Sequence, residues 1–373
     1  MKAMMPDLPT SHRVPVGWLR THASAPLKWR TLKDILPPEA AAPDNYAAVQ
    51  AEVLESKQLQ LVVKKQRKSG LWGDNVLGLA PNKTAGYKDV GTVAQYRRLV
   101  ELGMPREERV FRLADRFLFR LLSRDDSPDL LAEYKSAAKT NPDLVAWSRE
   151  RFREGAAVAL AQAGLVEDPR VRGAAHRVAS QVSHFLRSEY AEKPITRRSN
   201  RNVLHADAHP PTTLAVALFA YMPSLQRERA GFVERLTAFL ALPAPKKTYV
   251  ILLNRKVIQP VYQLLGNPLE ADRSGMPKDL PFALHWIEVL VRLGMLHTNE
   301  TAVRILLRLL ADVDANGVWA PKSLRSLPKS KSRLADFMFP LELDGKVMDR
   351  RQADVTFRLS LIAKLAGWDL EFV

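Results

Sequence analysis

Along most of the chain after Asn45, apolar residues recur at three- and four-residue spacing, a periodicity that predicts helices rather than strands. In "NYAAVQAEVLESKQLQLVVKKQ" the stripe follows an asparagine suited to an N-cap, so one helix is expected from Tyr46 to Gln66. "GTVAQYRRLVELGMPREERVFRLADRFLFRLLS" carries two stripes, one through Val93, Tyr96, Leu99 and Val100 and one through Val110, Leu113, Phe117 and Leu121. Gly103, Met104 and Pro105 separate them, as expected where one helix stops and an antiparallel one begins. The same hairpin recurs with breaks at Gly164, Pro223 and Gly294, and a last first-helix ends at Gly367. Successive breaks lie 61, 59, 71 and 73 residues apart, a rough period with variable insertions. That pattern predicts an array of helical hairpins burying their apolar faces against one another. No segment predicts a sheet. Residues 1 to 44 are proline-rich and weakly periodic, which predicts an extended arm laid on a single repeat domain of residues 45–373.

Four punctuated stretches join the hairpins: "GLWGDNVLGLAPNKTAGYKDVG", "SEYAEKPITRRSNRNVLHADAHPP", "PLEADRSGMPKDLP" and "DANGVWAPKSLRSLPKSKS". Long connections on a rigid scaffold commonly carry binding groups. The first opens on Gln66, Gly70 and Trp72 in the pattern Gln-x-x-x-Gly-x-Trp. "VDANGVW" is a degraded copy that keeps Gly317 and Trp319 but has Val313 in place of the glutamine. The segments that follow, "DVGTVAQYRRLVELG" and "ADVTFRLSLIAKLAG", share Asp-Val, an aromatic residue, a following arginine and a closing leucine and glycine, Leu-Gly in the first and Leu-Ala-Gly in the second.

This pattern resembles the repeat of the squalene cyclase and protein prenyltransferase superfamily, over residues 46–373. The resemblance implies an all-α, α/α toroid with inner and outer rings of helices, the glutamine capping a helix end and the tryptophan packing over the turn. An open HEAT-like solenoid is the alternative. It further implies a ligand in a central cavity or an end-face cleft. The departures limit the chemistry. The cyclase acid Asp-x-Asp-Asp is absent, the nearest strings being "ADVDAN" at Asp312 and Asp314 and "SRDDS" at Asp125 and Asp126. The Asp, Cys and His zinc set of the prenyltransferases is broken because the chain has no cysteine.

Composition narrows the classes further. Hydrophobic residues form 46% and charged residues 26% of the 373, enough apolar material for a sizeable core. The longest apolar runs, such as "LAVALFAYM", are too short to span a bilayer, and the start lacks a secretory pattern, so a cytoplasmic protein is expected. Without cysteine, disulfides and thiol nucleophiles are excluded. The net charge of +16 would attract nucleic acid, anionic lipid or phosphorylated ligands. Its densest runs are Lys64, Lys65, Arg67 and Lys68, then Arg197, Arg198 and Arg201.

Among residues that carry chemistry, His205, Asp207 and His209 alternate in "LHADAHPPTT", so an extended segment would point all three one way. Asp207 is the candidate acid or base with the two histidines as partners, although Pro210, Pro211 and Thr212 equally suit a helix entry. Candidate ligand-binding residues are Trp72, Asp74 and Trp319 at the turns, and Tyr96, Arg97, His285 and Trp286 near the starts of first helices. In the toroid superfamily those helices line the central cavity. His176 and His184 share a helix with no evident partner. No phosphate-cradling glycine loop, nucleophile elbow or helix-turn-helix signature occurs, and no metal or cofactor is expected. Two functional classes remain: a divergent cyclase-like or prenyltransferase-like protein binding a ligand, and a non-enzymatic basic repeat protein binding nucleic acid or an acidic protein.

Overall fold

The structure is a computed structural model that describes residues 6–40, 43–73, 75–78, 90–123, 125–136, 139–330, 332–343 and 347–373. In chain order the α-helices are α1 (Val16–His22), α2 (Ala25–Arg30), α3 (Pro43–Glu55), α4 (Lys57–Lys64), α5 (Thr92–Glu101), α6 (Arg109–Leu122) and α7 (Pro142–Gln162). They continue with α8 (Pro169–Leu186), α9 (Thr213–Ala220), α10 (Pro223–Glu228), α11 (Ala230–Ala241), α12 (Leu280–Arg292), α13 (Glu300–Leu310) and α14 (Met348–Leu365). The chain is predominantly helical, as its periodicity predicts. No helix among the described residues is long and apolar enough to cross a membrane.

The strands are a correction to the sequence reading. Ser11–Val14 (β1) pairs parallel with Asp369–Phe372 (β6), while Ile195–Arg198 (β2) with Arg201–Leu204 (β3), and Ile251–Leu253 (β4) with Lys256–Ile258 (β5), form antiparallel ribbons. The stretch expected to be extended, residues 1 to 44, holds α1 and α2, because Pro15 and Pro26 stand at helix starts, where their fixed φ is favourable. The single helix expected from Tyr46 to Gln66 is broken at Ser56, whose hydroxyl donates to the Val53 carbonyl 2.6 Å away and competes with the helical pattern.

The chain forms two compact units. One comprises residues 1–64, 98–105 and 269–373, and the other residues 65–97 and 106–268. Within each, the helix starts follow from local capping: Asn141, Asp168, Thr212, Asp279 and Asn299 accept backbone N–H groups in the first turns of α7, α8, α9, α12 and α13. The helix ends repeat one device. Gly103, Gly164, Gly294 and Gly367 have φ of 81, 88, 69 and 76°, and each donates its N–H to the carbonyl three residues back. The next residue donates five residues back, to Leu99, Leu160, Leu290 and Ala363 respectively, completing a Schellman cap that needs the left-handed conformation. In unit 1, α12 and α14 are enclosed along Pro281–Val291 and Ala353–Ala363, whereas α13 buries one stripe. In unit 2, α9 is buried at every residue and α7 from Glu154 to Ala161, whereas α6 and α8 are amphipathic.

The turn that opens each connection also recurs. Gln66 bridges Trp72, Gly70 holds φ 88°, and the Gln66 amide donates to the Gly70 and Val110 carbonyls at 3.1 and 2.8 Å. Val313 bridges Trp319 in the same way around Gly317 at φ 87°. The Trp72 N–H donates to the Thr92 hydroxyl at 3.1 Å, and the Trp319 N–H to the Thr356 hydroxyl at 3.0 Å. A third copy bridges Ala271 to Pro277 around Gly275 at φ 86°, with neither the glutamine nor the tryptophan.

Candidate functional site

In unit 2, β2 and β3 are joined by Ser199 and Asn200, both at positive φ (45 and 61°), as a two-residue hairpin turn of the I′ class requires. The register sets Arg197 opposite Asn202 and Arg198 opposite Arg201. Like charges directly opposed across a ribbon repel. Arg197 reaches the Asn200 side-chain oxygen at 3.4 Å, while among the described residues no carboxylate lies within ion-pair distance of Arg197, Arg198 or Arg201. All three arginines are exposed.

The ribbon widens on its other side. The Leu204 N–H donates to the Val250 carbonyl at 2.9 Å, the Val250 N–H to Asn202 at 3.0 Å, and the Asn202 amide to the Thr248 carbonyl at 3.1 Å. Lys246 and Lys247, both exposed, immediately precede this segment, and Arg255 and Lys256 follow in the hairpin of β4 and β5. The result is a short basic sheet made of two ribbons joined through Val250. Its backbone is held by the ladder while the arginines at its tip stand exposed, an arrangement suited to a row of phosphates or carboxylates.

Arginines of unit 1 are used differently. Arg358 is wholly buried and donates to Glu101 at 2.6 Å, to Glu288 at 3.1 Å and to the Met338 carbonyl at 3.0 Å. Glu101 also takes Arg30 at 2.5 Å, Arg30 is paired with Asp34, and Glu288 takes Arg292 at 2.9 Å. Burial acts to raise the Glu101 carboxyl, but Arg30 and Arg358 together hold it well below the ordinary carboxylate range. Glu288 is likewise lowered, burial being outweighed by Arg292 and Arg358. Asp354 accepts the Leu341 and Glu342 N–H groups, both at 2.9 Å. Burial first, then the neighbouring Asp354 charge, raise the Glu342 carboxyl to about 7. None of these groups was a sequence candidate, because a charge on a helix reads as a solvated face.

The sequence candidates do not gather at one place. In unit 2, His205 stacks on Tyr190 at 4.3 Å between ring centres and lies 3.6 Å from the Asp207 carboxylate. Its Nδ1 accepts the Asp207 N–H at 3.2 Å; the Asp207 side chain is 73% exposed and His209 is exposed. Among the described residues no group of three or more His, Asp or Glu could hold a metal ion. Tyr96 is buried edge-on to Phe111 and donates to Asp115 at 2.8 Å; burial, then Asp115, hold its phenol well above the ordinary value. Arg97 is buried on the Gln162 side-chain oxygen at 2.5 Å, and Trp72 is enclosed at its turn. Asp74 lies outside the described residues. In unit 1, His285 meets Phe337 edge to face at 5.1 Å, Trp286 stacks on Phe282 at 6.1 Å, and Trp319 is buried at its turn.

Ser199-Asn200 lacks the glycine of the usual two-residue hairpin signals, so only the arginines of "ITRR" and "RNVL" stand out in the sequence. Compared with known proteins, the chain matches no family model, no curated protein and no solved structure.

Proposed function

We propose that this chain is a divergent α/α-toroid relative of the cyclase and prenyltransferase superfamily that binds nucleic acid through the basic sheet of unit 2. The threefold repeat of the Gly-centred turn supports the kinship, since two of its copies keep a tryptophan N–H on a threonine hydroxyl. The binding reading is carried by one observation: Arg198 faces Arg201 in register at an exposed tip, with no carboxylate beside either among the described residues. That pairing opposes ribbon stability. A phosphate backbone lying along the ribbon would convert the repulsion into two charge-assisted contacts and release condensed counterions. Lys246, Lys247 and Arg255 add exposed positive charge on the adjoining segments.

Fluorescence anisotropy with labelled single-stranded and duplex oligonucleotides of random sequence tests this. Binding at low salt is expected near the micromolar range typical of non-specific complexes, ~10⁻⁶ M or weaker as salt rises. Replacing Arg197, Arg198 and Arg201 together by glutamine should weaken it at least tenfold, about 1.4 kcal/mol or more. Absence of salt-sensitive binding in the wild type, or tighter binding to an acidic polypeptide such as polyglutamate than to either oligonucleotide, would overturn the assignment.

A further inference from the structure

A partly open pocket of about 80 Å³ lies in unit 2 among side chains of α6, α7 and α8. Leu122 and Val178 give it apolar walls, and Arg153, Arg177, Glu150 and Glu154 line the rest. The two carboxylates already have an answer. Glu154 is buried and accepts the Thr212 hydroxyl at 2.7 Å, with Arg151 at 3.0 Å, and Glu150 lies 3.5 Å from the same Arg151.

The two arginines do not. Arg153 donates its Nε to the Leu121 carbonyl at 3.2 Å, and its terminal nitrogens hold no hydrogen bond among the described residues. Arg177, exposed on α8, has neither a hydrogen bond nor an ion pair among them. Arg153 and Arg177 line the same pocket, and burial, then the Arg177 charge, lower the Arg153 pKa against the opposing pull of Asp126 and Glu150. Two guanidiniums without an ion pair among the described residues, on a pocket walled in part by Leu122 and Val178, offer fork-shaped donors that a planar carboxylate matches. Glu150 and Glu154 both lie against Arg151, which leaves Arg153 and Arg177 to take the carboxylate of a ligand.

We infer that this pocket binds a small monocarboxylate, with Arg153 and Arg177 taking the carboxylate and Leu122 and Val178 covering a short hydrocarbon body. The site shares no residue with the basic sheet and stands or falls independently of nucleic-acid binding.

Isothermal titration of the full chain with butyrate, n-butylammonium and inorganic phosphate tests the inference. Saturable butyrate binding is expected, weakened at least tenfold by Arg177→Gln and by Arg153→Gln, with no saturable binding of n-butylammonium. Arg177 is exposed, so Arg177→Gln should melt like the wild type and report on the pocket alone. No saturable butyrate binding, binding unchanged in Arg177→Gln, or equal binding of the cation would overturn the site. Phosphate binding as tightly as butyrate would overturn the monocarboxylate assignment.

Discussion

Arginine does opposite work in the two units. Arg358 of unit 1 is fully enclosed and answered by Glu101, Glu288 and a carbonyl, whereas Arg198 and Arg201 of unit 2 face each other in water with no carboxylate beside them among the described residues. Removing an ion from water is costly unless geometry and further hydrogen bonds compensate, so a buried arginine is bound to its particular partners. An exposed one loses little by being unpaired and keeps its charge available. The +16 of the chain is therefore no measure of its binding surface, because part of the arginine content is internal structure.

The strongest way to break the comparison is to treat a unit 1 arginine as though it were surface charge. Arg358→Ala should destabilise unit 1 by about 3–5 kcal/mol, because Glu101 and Glu288 lose a buried partner. A denaturant melt within error of the wild type would show that the network is ornamental. Next comes the scaffold. A Cβ on Gly70 would sit 2.3 Å from the Leu113 carbonyl oxygen, whereas one on Gly164 would meet nothing within 4 Å, although both glycines have φ of 88°. Gly70→Ala should therefore cost well over the ~1 kcal/mol expected for Gly164→Ala from left-handed strain alone. Equal melting temperatures for the two variants would remove the turn from the account.

A third test uses pH. Glu342 is raised from 4.5 to about 7, so its folded form holds a proton that the unfolded chain has lost. Its contribution is complete below pH 4.5 and is lost as pH climbs toward about 7, whereas those of Glu101 and Glu288, both lowered, fade only as pH falls into the acid range. Glu342→Gln should flatten the decline between these pH values, an effect on the order of 3 kcal/mol at most. Identical stability profiles for variant and wild type would rule that out. The smallest effect belongs to unit 2: Arg198→Thr should change stability by only a few tenths of a kcal/mol, toward a gain, because a like-charge pair is relieved. A loss above about 1 kcal/mol would mean that the arginine is structural after all.

The helical hairpins and their breaks were legible because a glycine after an apolar stripe has few other uses; Gly103, Gly164, Gly294 and Gly367 all cap helices. The Ala271–Pro277 turn was not, since a repeat recognised by glutamine and tryptophan is invisible without them. What holds it is Asp272, whose carboxylate accepts the Ser274 and Met276 N–H groups at 2.8 and 3.0 Å, as Asp314 accepts those of Asn316 and Val318. Strands of three or four residues fall below the reach of a periodicity argument, so β2 and β3 leave no sheet signal in the sequence. The buried ion network was hidden for a different reason. Arg358 sits in "VTFRLSLIAKLAG", where only the fold reveals that every side of α14 from Ala353 to Ala363 is covered.

Whether location rather than total charge makes the binding surface is read from the salt dependence of oligonucleotide binding in two variants of equal charge. One replaces Arg197, Arg198 and Arg201 by glutamine; the other replaces Arg112, Arg116 and Arg120, all exposed on α6. On duplex DNA each lost phosphate contact reduces the magnitude of the log–log slope by about 0.9. The ribbon variant should lose about 2 to 3 of slope and the helix variant close to none. Equal losses in the two, or none in either, would contradict the account.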